Sequence, residues 1–173
     1  MTLPIVGFCG QIGSGKSTAA AYLVERYGFV RVRFAGPIKD MCRALGLSDR
    51  EVDGDLKEQP SELLGGKTPR WAMQSLGTEW GRDLICRDLW IRAWRAACDR
   101  VPASAKGITV DDVRFSNEAD AIAQRGGILV RLIRGIDVPA AHASETQALA
   151  ISRRIFNRGS IEQLKKEIDA LVA

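Results

Sequence analysis

The feature of this sequence that most restricts its fold is an octapeptide, GQIGSGKS, that runs from Gly10 to Ser17. An apolar run at residues 3–9 precedes it and predicts a β-strand, and a helical pattern follows it at residues 18–27. The octapeptide fits GxxxxGK[ST] at every fixed position. A strand, a glycine-rich loop and a helix in this order predict a P-loop, which binds nucleoside triphosphate phosphates with backbone N–H groups and the helix N-terminus.

The residue types in this loop suit phosphate chemistry. The glycines allow backbone N–H groups to turn toward phosphate oxygens. Lys16 is expected to reach the β and γ phosphates as a catalytic residue, and Ser17 is expected to bind magnesium. The predicted ATP-binding residues of this segment are Gly13, Ser14, Gly15, Lys16, Ser17 and Thr18.

The rest of the chain alternates between strand and helix patterns. Further strands are predicted at residues 29–34, 108–113, Ile128–Ile133 and Arg153–Phe156, and further helices at residues 37–45, 117–124 and Ile161–Val172. Ser116 and Ser160 are expected to cap the last two of these helices. Strands that alternate with helices predict an α/β fold, here a central five-stranded parallel sheet with helices on both faces.

Length and composition favour a single domain. The chain has 173 residues, of which 46% are hydrophobic, and this is enough to bury the core of one compact domain. Residues 37–105 contain two tryptophan-rich stretches and no convincing strand pattern. We therefore expect one domain over residues 1–173 with a helical insertion at residues 37–105.

Charge, hydropathy and cysteine content bear on the ligands, the location and the metal or disulfide content of the protein. The 25 basic and 21 acidic residues give a net charge of +4, which suits small anionic molecules as well as nucleic acid. No apolar stretch approaches the roughly 20 residues of a membrane span, so a cytoplasmic, soluble protein is expected. Four scattered cysteines and one histidine favour reduced thiols over a zinc site or a disulfide framework. The cysteines are Cys9, Cys42, Cys86 and Cys98.

A P-loop indicates a nucleotide-binding site but does not identify the molecule that accepts the phosphoryl group. The residues that bind the acceptor must therefore be sought elsewhere in the sequence. Phosphoryl transfer requires cations around the transferred group, and Lys39, Arg70 and Arg114 follow predicted strands or begin predicted helices. Arginine offers phosphate a bidentate fork, which favours the two arginines. Asp112 comes at the end of a predicted strand, where an acidic residue could bind magnesium directly or through water. Asp111 is the alternative if the strand is shifted by one residue.

Several sequence blocks beyond the P-loop point to one family. They are FAGPIK at 34–39, TPR at 68–70, MQ at 73–74, LGTE at 76–79, GR at 81–82, DLW at 88–90, DVRFSNE at 112–118 and HASE at 142–145. Together these blocks resemble the phage-type deoxynucleoside monophosphate kinases over nearly the whole chain. The resemblance implies a P-loop kinase fold, magnesium, and transfer of the γ-phosphate of ATP to a deoxynucleoside 5′-monophosphate, in the host cytoplasm if the chain is phage-encoded.

The resemblance also assigns roles on the acceptor side. It makes the inserted helices the monophosphate-binding side of the cleft, where Lys39, Arg70 and Arg114 would hold the acceptor phosphate. Gln74 and Glu79 would read the base edge by hydrogen bonds. Three tryptophans would either wall the base pocket or belong to the core, namely Trp71, Trp80 and Trp90.

Two further loops receive roles from the resemblance. His142, Ser144 and Glu145 lie in an expected lid region at about residues 134–152, where they would close over the acceptor or cap a helix beginning at Ser144. Asn157 and Gly159 lie where P-loop kinases contact the adenine. Arg134, Arg153 and Arg154 are unranked candidates for contacting the triphosphate. The loop before Pro37 departs from the family, because Gly36 replaces the acidic residue expected there.

Other functions stay open at this point. A P-loop kinase of another small molecule, of the dephospho-coenzyme A type, has a compatible strand pattern. A nucleotide-dependent DNA-binding module is motivated by an isoelectric point near 9.0, although no basic tract interleaved with aromatic residues is present for gripping single strands. The sequence does not reveal which base is accepted or the oligomeric state, and a homodimer is among the states it leaves open.

Overall fold

The structure, a computed structural model, describes residues 3–135 and 149–172. The chain forms two compact units, one made of Met1–Arg33 and Ala97–Ala173 and the other of Phe34–Ala96. The P-loop belongs to the first unit, and the second unit coincides with most of the expected insertion. Within the described residues, no helix has both the length and the apolar character of a membrane span.

Strands and helices alternate in chain order. The strands are β1 Ile5–Cys9, β2 Phe29–Arg31, β3 Gly107–Val110, β4 Ile128–Ile133 and β5 Arg153–Phe156. The α-helices are α1 Lys16–Tyr27, α2 Gly36–Ala44, α3 Asp49–Val52, α4 Pro69–Ser75, α5 Leu89–Asp99, α6 Ser116–Gln124 and α7 Ile161–Val172. A 3₁₀ helix at Glu62–Leu64 and a π-helix at Leu76–Ile85 complete the described elements.

All five strands belong to one parallel sheet in the first unit. The strand order is β2-β3-β1-β4-β5, with β1 at the centre between β3 and β4. The residues of β1 are all buried, as expected for a central parallel strand covered on both faces. The prediction of a five-stranded parallel sheet is confirmed.

Helices cover both faces of this sheet. On one face, α1 and α7 supply Leu23, Leu164 and Ile168 to a core that includes Phe8 of β1. On the other face, α6 approaches Gly7 so closely that a Cβ there would lie 2.7 Å from Cδ1 of Ile122. Alternate residues of β1 therefore face different helices, which is the pattern that the period of two in a strand requires.

Two predicted strands are longer than those in the structure. β2 ends at Arg31 and β3 ends at Val110, whereas alternation of apolar and polar residues predicted ends at Phe34 and Val113. The N–H group of Val32 still donates to the carbonyl oxygen of Thr109 at 2.9 Å, after which the pairing of these strands stops. The alternation of side chains therefore continues past the last backbone hydrogen bond between the strands. Such hydrogen bonds require a neighbouring strand, whereas the alternation of side chains does not.

The two predicted serine caps have different outcomes. The Oγ of Ser160 accepts the N–H of Gln163 at 3.3 Å, and the side chain of Gln163 accepts the N–H of Ser160, so this cap of α7 is confirmed. The prediction for Ser116 is wrong, because α6 begins at Ser116 itself. The Glu118 carboxylate accepts the N–H of Phe115 there, at 3.1 Å.

The second unit is helical, as predicted, and none of its residues belongs to a strand. Its small core contains Cys42, Leu47 and Val52, against which Met73 and Leu76 pack. In a separate contact, the rings of Phe34 and Trp94 stack with centroids 4.7 Å apart.

Candidate active site

The P-loop has a backbone shape that glycine makes possible. Gly10, Gly13 and Gly15 have φ values of +132°, +76° and +102°, in the region that side-chain-bearing residues rarely adopt. Space is restricted as well, because a Cβ at Gly10 would lie 2.3 Å from the carbonyl oxygen of Leu132. A Cβ at Gly15 would lie 2.6 Å from Nδ2 of Asn157. The loop can therefore hold this shape only with glycine at positions 10 and 15.

The N-terminus of α1 is arranged as an anion site. The helix begins at Lys16, directly after the loop, with no side-chain cap and no acidic residue in its first turn. Backbone N–H groups at such a terminus attract a phosphate, because the helix dipole adds positive charge there. The hydroxyl of Ser14 is also buried and has no hydrogen-bond partner among the described residues. A loop with these properties is suited to bind a polar anion.

Lys16 lies over the P-loop itself. Its Nζ donates to the carbonyl oxygens of Gly10 and Gln11, both at 2.7 Å. These two hydrogen bonds fix the ammonium against the loop, so its charge is held at the place where a triphosphate would bind. The role of Lys16 toward the β and γ phosphates stays a prediction.

Asp111 lies directly after β3 as a buried, ionised carboxylate. Nε of Arg33 donates to its Oδ1 at 2.9 Å, and Nη1 of Arg31 lies 3.9 Å from its Oδ2. Burial raises the pKa of Asp111, but this effect is outweighed by the Arg33 hydrogen bond, the charges of Arg33 and Arg31, and a hydrogen bond with Ser17, so the pKa lies below its usual range. A negative charge is therefore kept beside the hydroxyl of Ser17.

Ser17 and Asp111 together fit a magnesium site. Magnesium takes oxygen ligands and commonly uses only one or two protein groups, with phosphate oxygens and water completing its shell. A hydroxyl and a carboxylate in contact, at the start of α1, provide this ligand set. The described residues contain no group of three or more His, Cys, Asp or Glu side chains that would form an all-protein metal cage.

The contact with Ser17 bears on the choice between Asp111 and Asp112. The sequence favoured Asp112 as the magnesium-side acid, on the expectation of a strand that continues to Val113. Because β3 ends at Val110, Asp111 is the first residue after the strand, and its carboxylate has a hydrogen bond with Ser17. Asp112 is half-buried and has interactions of its own. Both acids therefore stay candidates for the magnesium site, and the choice between them stays a prediction.

Arg31 and Arg33 are site residues that sequence reasoning missed. Nη2 of Arg31 donates to the backbone carbonyl of Ser17 at 3.1 Å, so Arg31 connects the end of β2 to the first turn of α1. The signal was present, since both arginines interrupt the apolar alternation of the second strand. Two arginines on the same face near a strand end can hold a carboxylate.

The loop after β5 contacts the P-loop through Asn157. Its Nδ2 donates to the carbonyl oxygen of Ser14 at 3.0 Å. Arg134 also reaches the P-loop, with Nη1 3.4 Å from the carbonyl oxygen of Gly13, whereas Arg153 donates to Ala170 on α7. Of the arginines that the sequence did not rank, Arg134 is thus the one described at the phosphate loop. Gly159 lies beside the Ser160 cap, and its role toward the nucleotide stays a prediction.

Two buried cysteines, Cys9 and Cys98, have thiols that are difficult to ionise. All four are free thiols. Burial raises the pKa of the Cys9 thiol to about 11, although the charges of Arg131 and Lys16 act in the opposite direction. Burial also raises the pKa of Cys98 to about 11. These thiols stay protonated near neutral pH and behave as buried apolar groups.

On the acceptor side, the second unit holds Lys39 and Arg70. Lys39 lies on α2, and its Nζ is 2.5 Å from Oδ1 of Asp53. Arg70 lies in the first turn of α4, whose N-terminus is capped by Thr68, and it forms an ion pair with Glu58. Thr-Pro-Arg therefore combines a cap, a favourable first helical residue and a cation at a helix start.

The remaining acceptor-side predictions fall in different environments. Gln74 is exposed on α4, and Glu79 is exposed on the π-helix that follows α4 directly. Trp90 is a core residue, and its Nε1 donates to the carbonyl oxygen of Gly77 at 2.7 Å. Trp71 and Trp80 are exposed in the second unit.

Arg114 belongs to the first unit, where its side chain is exposed. Its backbone N–H donates to the Glu118 carboxylate at 2.8 Å, which holds the chain just before α6. The predictions for His142, Ser144 and Glu145 concern residues outside the described ranges.

Comparisons with known proteins support the kinase interpretation of this site. No family model matches the chain. A protein of Acanthamoeba polyphaga mimivirus with the name "Putative deoxynucleotide monophosphate kinase" is 34% identical over 186 residues, covering 97% of this chain and 95% of that protein.

Solved structures share the fold at low identity. TT1252 from Thermus thermophilus has a TM-score of 0.57 at 16% identity, covering 99% of this chain and 97% of that one. The Deinococcus radiodurans tunicamycin resistance protein has a TM-score of 0.54 at 17% identity, and the match covers 99% of this chain and 96% of that one. The Mycobacterium tuberculosis APS kinase CysC mutant has a TM-score of 0.53 at 13% identity, and the match covers 99% of this chain and 97% of that one. With a mimivirus relative that spans nearly its whole length, and a P-loop on a kinase-type parallel sheet, this chain belongs to the deoxynucleotide monophosphate kinase family.

Proposed function

We propose that this protein transfers the γ-phosphate of ATP to a deoxynucleoside 5′-monophosphate and so forms the diphosphate. The observation that carries the proposal is the first-unit arrangement of a glycine-shaped loop, an uncapped helix N-terminus and the Ser17–Asp111 pair. This arrangement suits the donor triphosphate. The name of the mimivirus relative supports a deoxynucleoside monophosphate as the acceptor.

The donor side follows from the chain's own groups. Backbone N–H groups of the loop and of α1 would bind the β and γ phosphates, and the Lys16 ammonium would offset the negative charge on the transferred group. Ser17 and Asp111 would hold magnesium, which neutralises charge on the phosphates when bound. Asn157 and Gly159 are proposed to contact the adenine side of ATP. Nothing in this scheme requires a covalent enzyme intermediate.

On the acceptor side, we propose that Lys39 and Arg70 bind the phosphate of the monophosphate. An oxygen of that phosphate attacks the γ-phosphorus, and the bond to the β–γ bridging oxygen breaks as ADP leaves. Arg114 would stabilise charge on the transferred group, which is a role for a fixed cation at a phosphoryl-transfer site. Gln74 and Glu79 are proposed to contact the base, and His142, Ser144 and Glu145 to act from the lid region.

The proposal extends to the setting of the reaction. We propose a cytoplasmic enzyme, in the host cytoplasm if the gene is phage-borne, that uses Mg²⁺ with ATP and acts as a monomer or homodimer without nucleic acid. Turnover should stop when EDTA is added and resume with excess MgCl₂. A rate that is insensitive to EDTA would remove the metal from the proposal.

An acceptor panel tests the function. The protein is incubated with ATP and MgCl₂ and with each of the four deoxynucleoside monophosphates, and dephospho-coenzyme A is tested separately. We expect diphosphate formation with at least one deoxynucleotide. Turnover of dephospho-coenzyme A alone, or tight salt-sensitive DNA binding without any monophosphate turnover, would contradict the proposal.

The role of Arg114 is tested in the same assay. Arg114→Ala should lower kcat by on the order of 10² or more if Arg114 stabilises the transferring charge. Arg100→Ala is the matched control, because Arg100 is an exposed arginine after α5, and its kcat should stay within about twofold of the wild type. An unchanged kcat in Arg114→Ala would remove Arg114 from the mechanism.

A further inference from the structure

A third cation accompanies Lys39 and Arg70 in the second unit. Lys57 lies between α3 and the 3₁₀ helix, and its carbonyl oxygen accepts the N–H of Arg70 at 3.0 Å. This hydrogen bond fixes the backbone of Lys57 beside the start of α4. The sequence assigned no role to Lys57, since it lies in a polar segment without a recognisable motif.

The charged surroundings of Lys57 are unfavourable to it. Partial burial lowers the pKa of its ammonium, and the positive charges of Lys39 and Arg70 lower it further. Asp53 and Glu58 act in the opposite direction and offset only part of this effect. These two positive charges act on Lys57 from α2 and from the start of α4, the helix to which the Lys57 backbone is hydrogen-bonded.

The available carboxylates are already engaged by other cations. Asp53 pairs with Lys39 and also with Arg43, whose Nη2 lies 2.8 Å from Oδ2, and Glu58 pairs with Arg70. Among the described residues, no ion pair is formed by Lys57. The two carboxylates that act on Lys57 are thus each paired with another cation, and Asp53 is paired with both Lys39 and Arg43.

An excess of positive charge of this kind has a physical meaning. Half-buried like charges destabilise the folded protein, and they persist at places where a ligand of opposite charge compensates them. A phosphate monoester near neutral pH carries close to two negative charges and several acceptor oxygens, which matches an uncompensated ammonium beside an arginine. A sulfate monoester or a carboxylate would bring only one negative charge.

We propose that Lys57 is an additional binding residue for the phosphate of the monophosphate acceptor and that it completes a three-cation site with Lys39 and Arg70. The inference rests on the proposed function, because it takes the acceptor to be a phosphate monoester. Phosphate oxygens then accept hydrogen bonds from groups that Asp53 and Glu58 engage in the ligand-free protein. Lys57 supplies a positive charge that no ion pair offsets, whereas the charges of Lys39 and Arg70 are offset by Asp53 and Glu58.

The test uses the charge-removing variant Lys57→Met and the charge-keeping variant Lys57→Arg. Calorimetry measures binding of each deoxynucleoside monophosphate and of inorganic phosphate, without ATP. We expect Lys57→Met to weaken monophosphate binding about tenfold or more, and Lys57→Arg to keep most of the affinity. The KM for ATP should stay within about twofold in both variants. Lys67→Met is the matched control, since Lys67 is an exposed lysine of the same unit.

Two readouts separate binding from a structural role. The melting temperature of ligand-free Lys57→Met should equal or exceed that of the wild type, because the substitution removes repulsion. The wild-type affinity should fall as pH rises through the lowered pKa of Lys57, whereas the affinity of Lys57→Arg should persist to higher pH. The charged groups that raise or lower the pKa of Lys57 are Lys39, Arg70, Asp53 and Glu58.

The outcomes distinguish this inference from the proposed function. Monophosphate binding by Lys57→Met within twofold of the wild type would overturn the role of Lys57, whatever the turnover assay shows. A lowered melting temperature with equal loss of affinity in both Lys57 variants would also overturn it. If the wild type phosphorylates no deoxynucleotide but binds phosphate in a Lys57-dependent way, the proposed function fails and the anion site stands.

Discussion

At the scale of single residues, Asp111 interacts with two kinds of partner, namely the arginines at the end of β2 and the hydroxyl of Ser17. Toward Arg33 it is the acceptor of an ion pair at 2.9 Å, and toward Ser17 it is an oxygen beside a hydroxyl at the start of α1. Neutralising it would remove a charge that we propose holds magnesium, and it would also leave the Arg33 guanidinium without its carboxylate. Asp111 is therefore expected to affect both turnover and stability.

The first prediction compares the two neighbouring acids. Asp111→Asn should lower kcat by about 10² or more, because an amide is a poor ligand for magnesium and carries no charge to stabilise it. Asp112→Asn should lower kcat less than about tenfold. Steady-state assays at saturating ATP and MgCl₂ measure both values, and the reverse order would assign the magnesium-side role to Asp112.

The second prediction concerns stability in acid. The folded-state pKa of Asp111 is lowered from its ordinary value of 3.8, so its contribution to stability is fully present above that value and is lost as pH falls through the lowered pKa. The free energy of unfolding of the wild type should therefore fall more steeply below this pH than that of Asp111→Asn. Glu51, Asp55 and Asp169 also have lowered pKa values, but they titrate in both proteins.

Urea unfolding followed by tryptophan fluorescence, at a series of pH values on either side of 3.8, checks this difference. Parallel pH dependence in the two proteins would mean that the ionised form of Asp111 gains nothing from its arginine neighbours on folding.

Residue positions were predictable where a motif fixes them. Lys16 and Ser17 follow from GxxxxGK[ST] alone, and the structure has both at the start of α1. The contacts of Arg33 and the charged surroundings of Lys57 were not predictable, because they depend on charges that are distant in sequence. Arg33 meets a carboxylate 78 positions away, and the repulsion on Lys57 comes from residues on two different helices.

At the scale of elements, the connection between β1 and α1 is held by local shape and by neighbouring strands together. Gly10 lies next to the backbone of β4, whereas Gly13 has no atom within 4 Å of the place where its Cβ would lie. The two glycines share a positive φ and differ in their surroundings, so they form a natural pair for comparison.

The third prediction uses this pair. Gly13→Ala should cost about 1–2 kcal/mol, the strain of a left-handed conformation. Gly10→Ala should cost at least about 2 kcal/mol more, because its Cβ would also meet the carbonyl oxygen of Leu132, and backbone cannot move aside as a flexible side chain can. Chemical denaturation measures both, and equal losses would show that the close contact with Leu132 does not limit the loop.

Element boundaries were predictable where the signal lies within the element. Ile128–Ile133, Arg153–Phe156 and Ile161–Val172 match the structure because their apolar spacing or a local cap defines them. β2 and β3 were predicted too long, since the end of a strand depends on its partner. The π-helix at Leu76–Ile85 has no signal in the sequence, and widened helical turns of this kind often occur at functional sites.

At the scale of the whole molecule, the residues that we propose for the donor and for the acceptor phosphate belong to different units. The first unit holds the P-loop, Ser17 and Asp111, and the second holds Lys39, Lys57 and Arg70. Identity to the mimivirus relative covers 97% of the chain, so the family relationship includes both units. The sequence could predict the donor from one motif, whereas the acceptor required the resemblance of several separate blocks.

The central claim is that the chain moves a phosphoryl group between nucleotides, and following a labelled γ-phosphate tests it most directly. ATP labelled with ³²P at the γ position is incubated with MgCl₂, the protein and the deoxynucleoside monophosphate accepted best in the panel. The account predicts that label enters the deoxynucleoside diphosphate in equal amount to the ADP formed. Label released only as inorganic phosphate, at the same rate with and without the monophosphate, would contradict it.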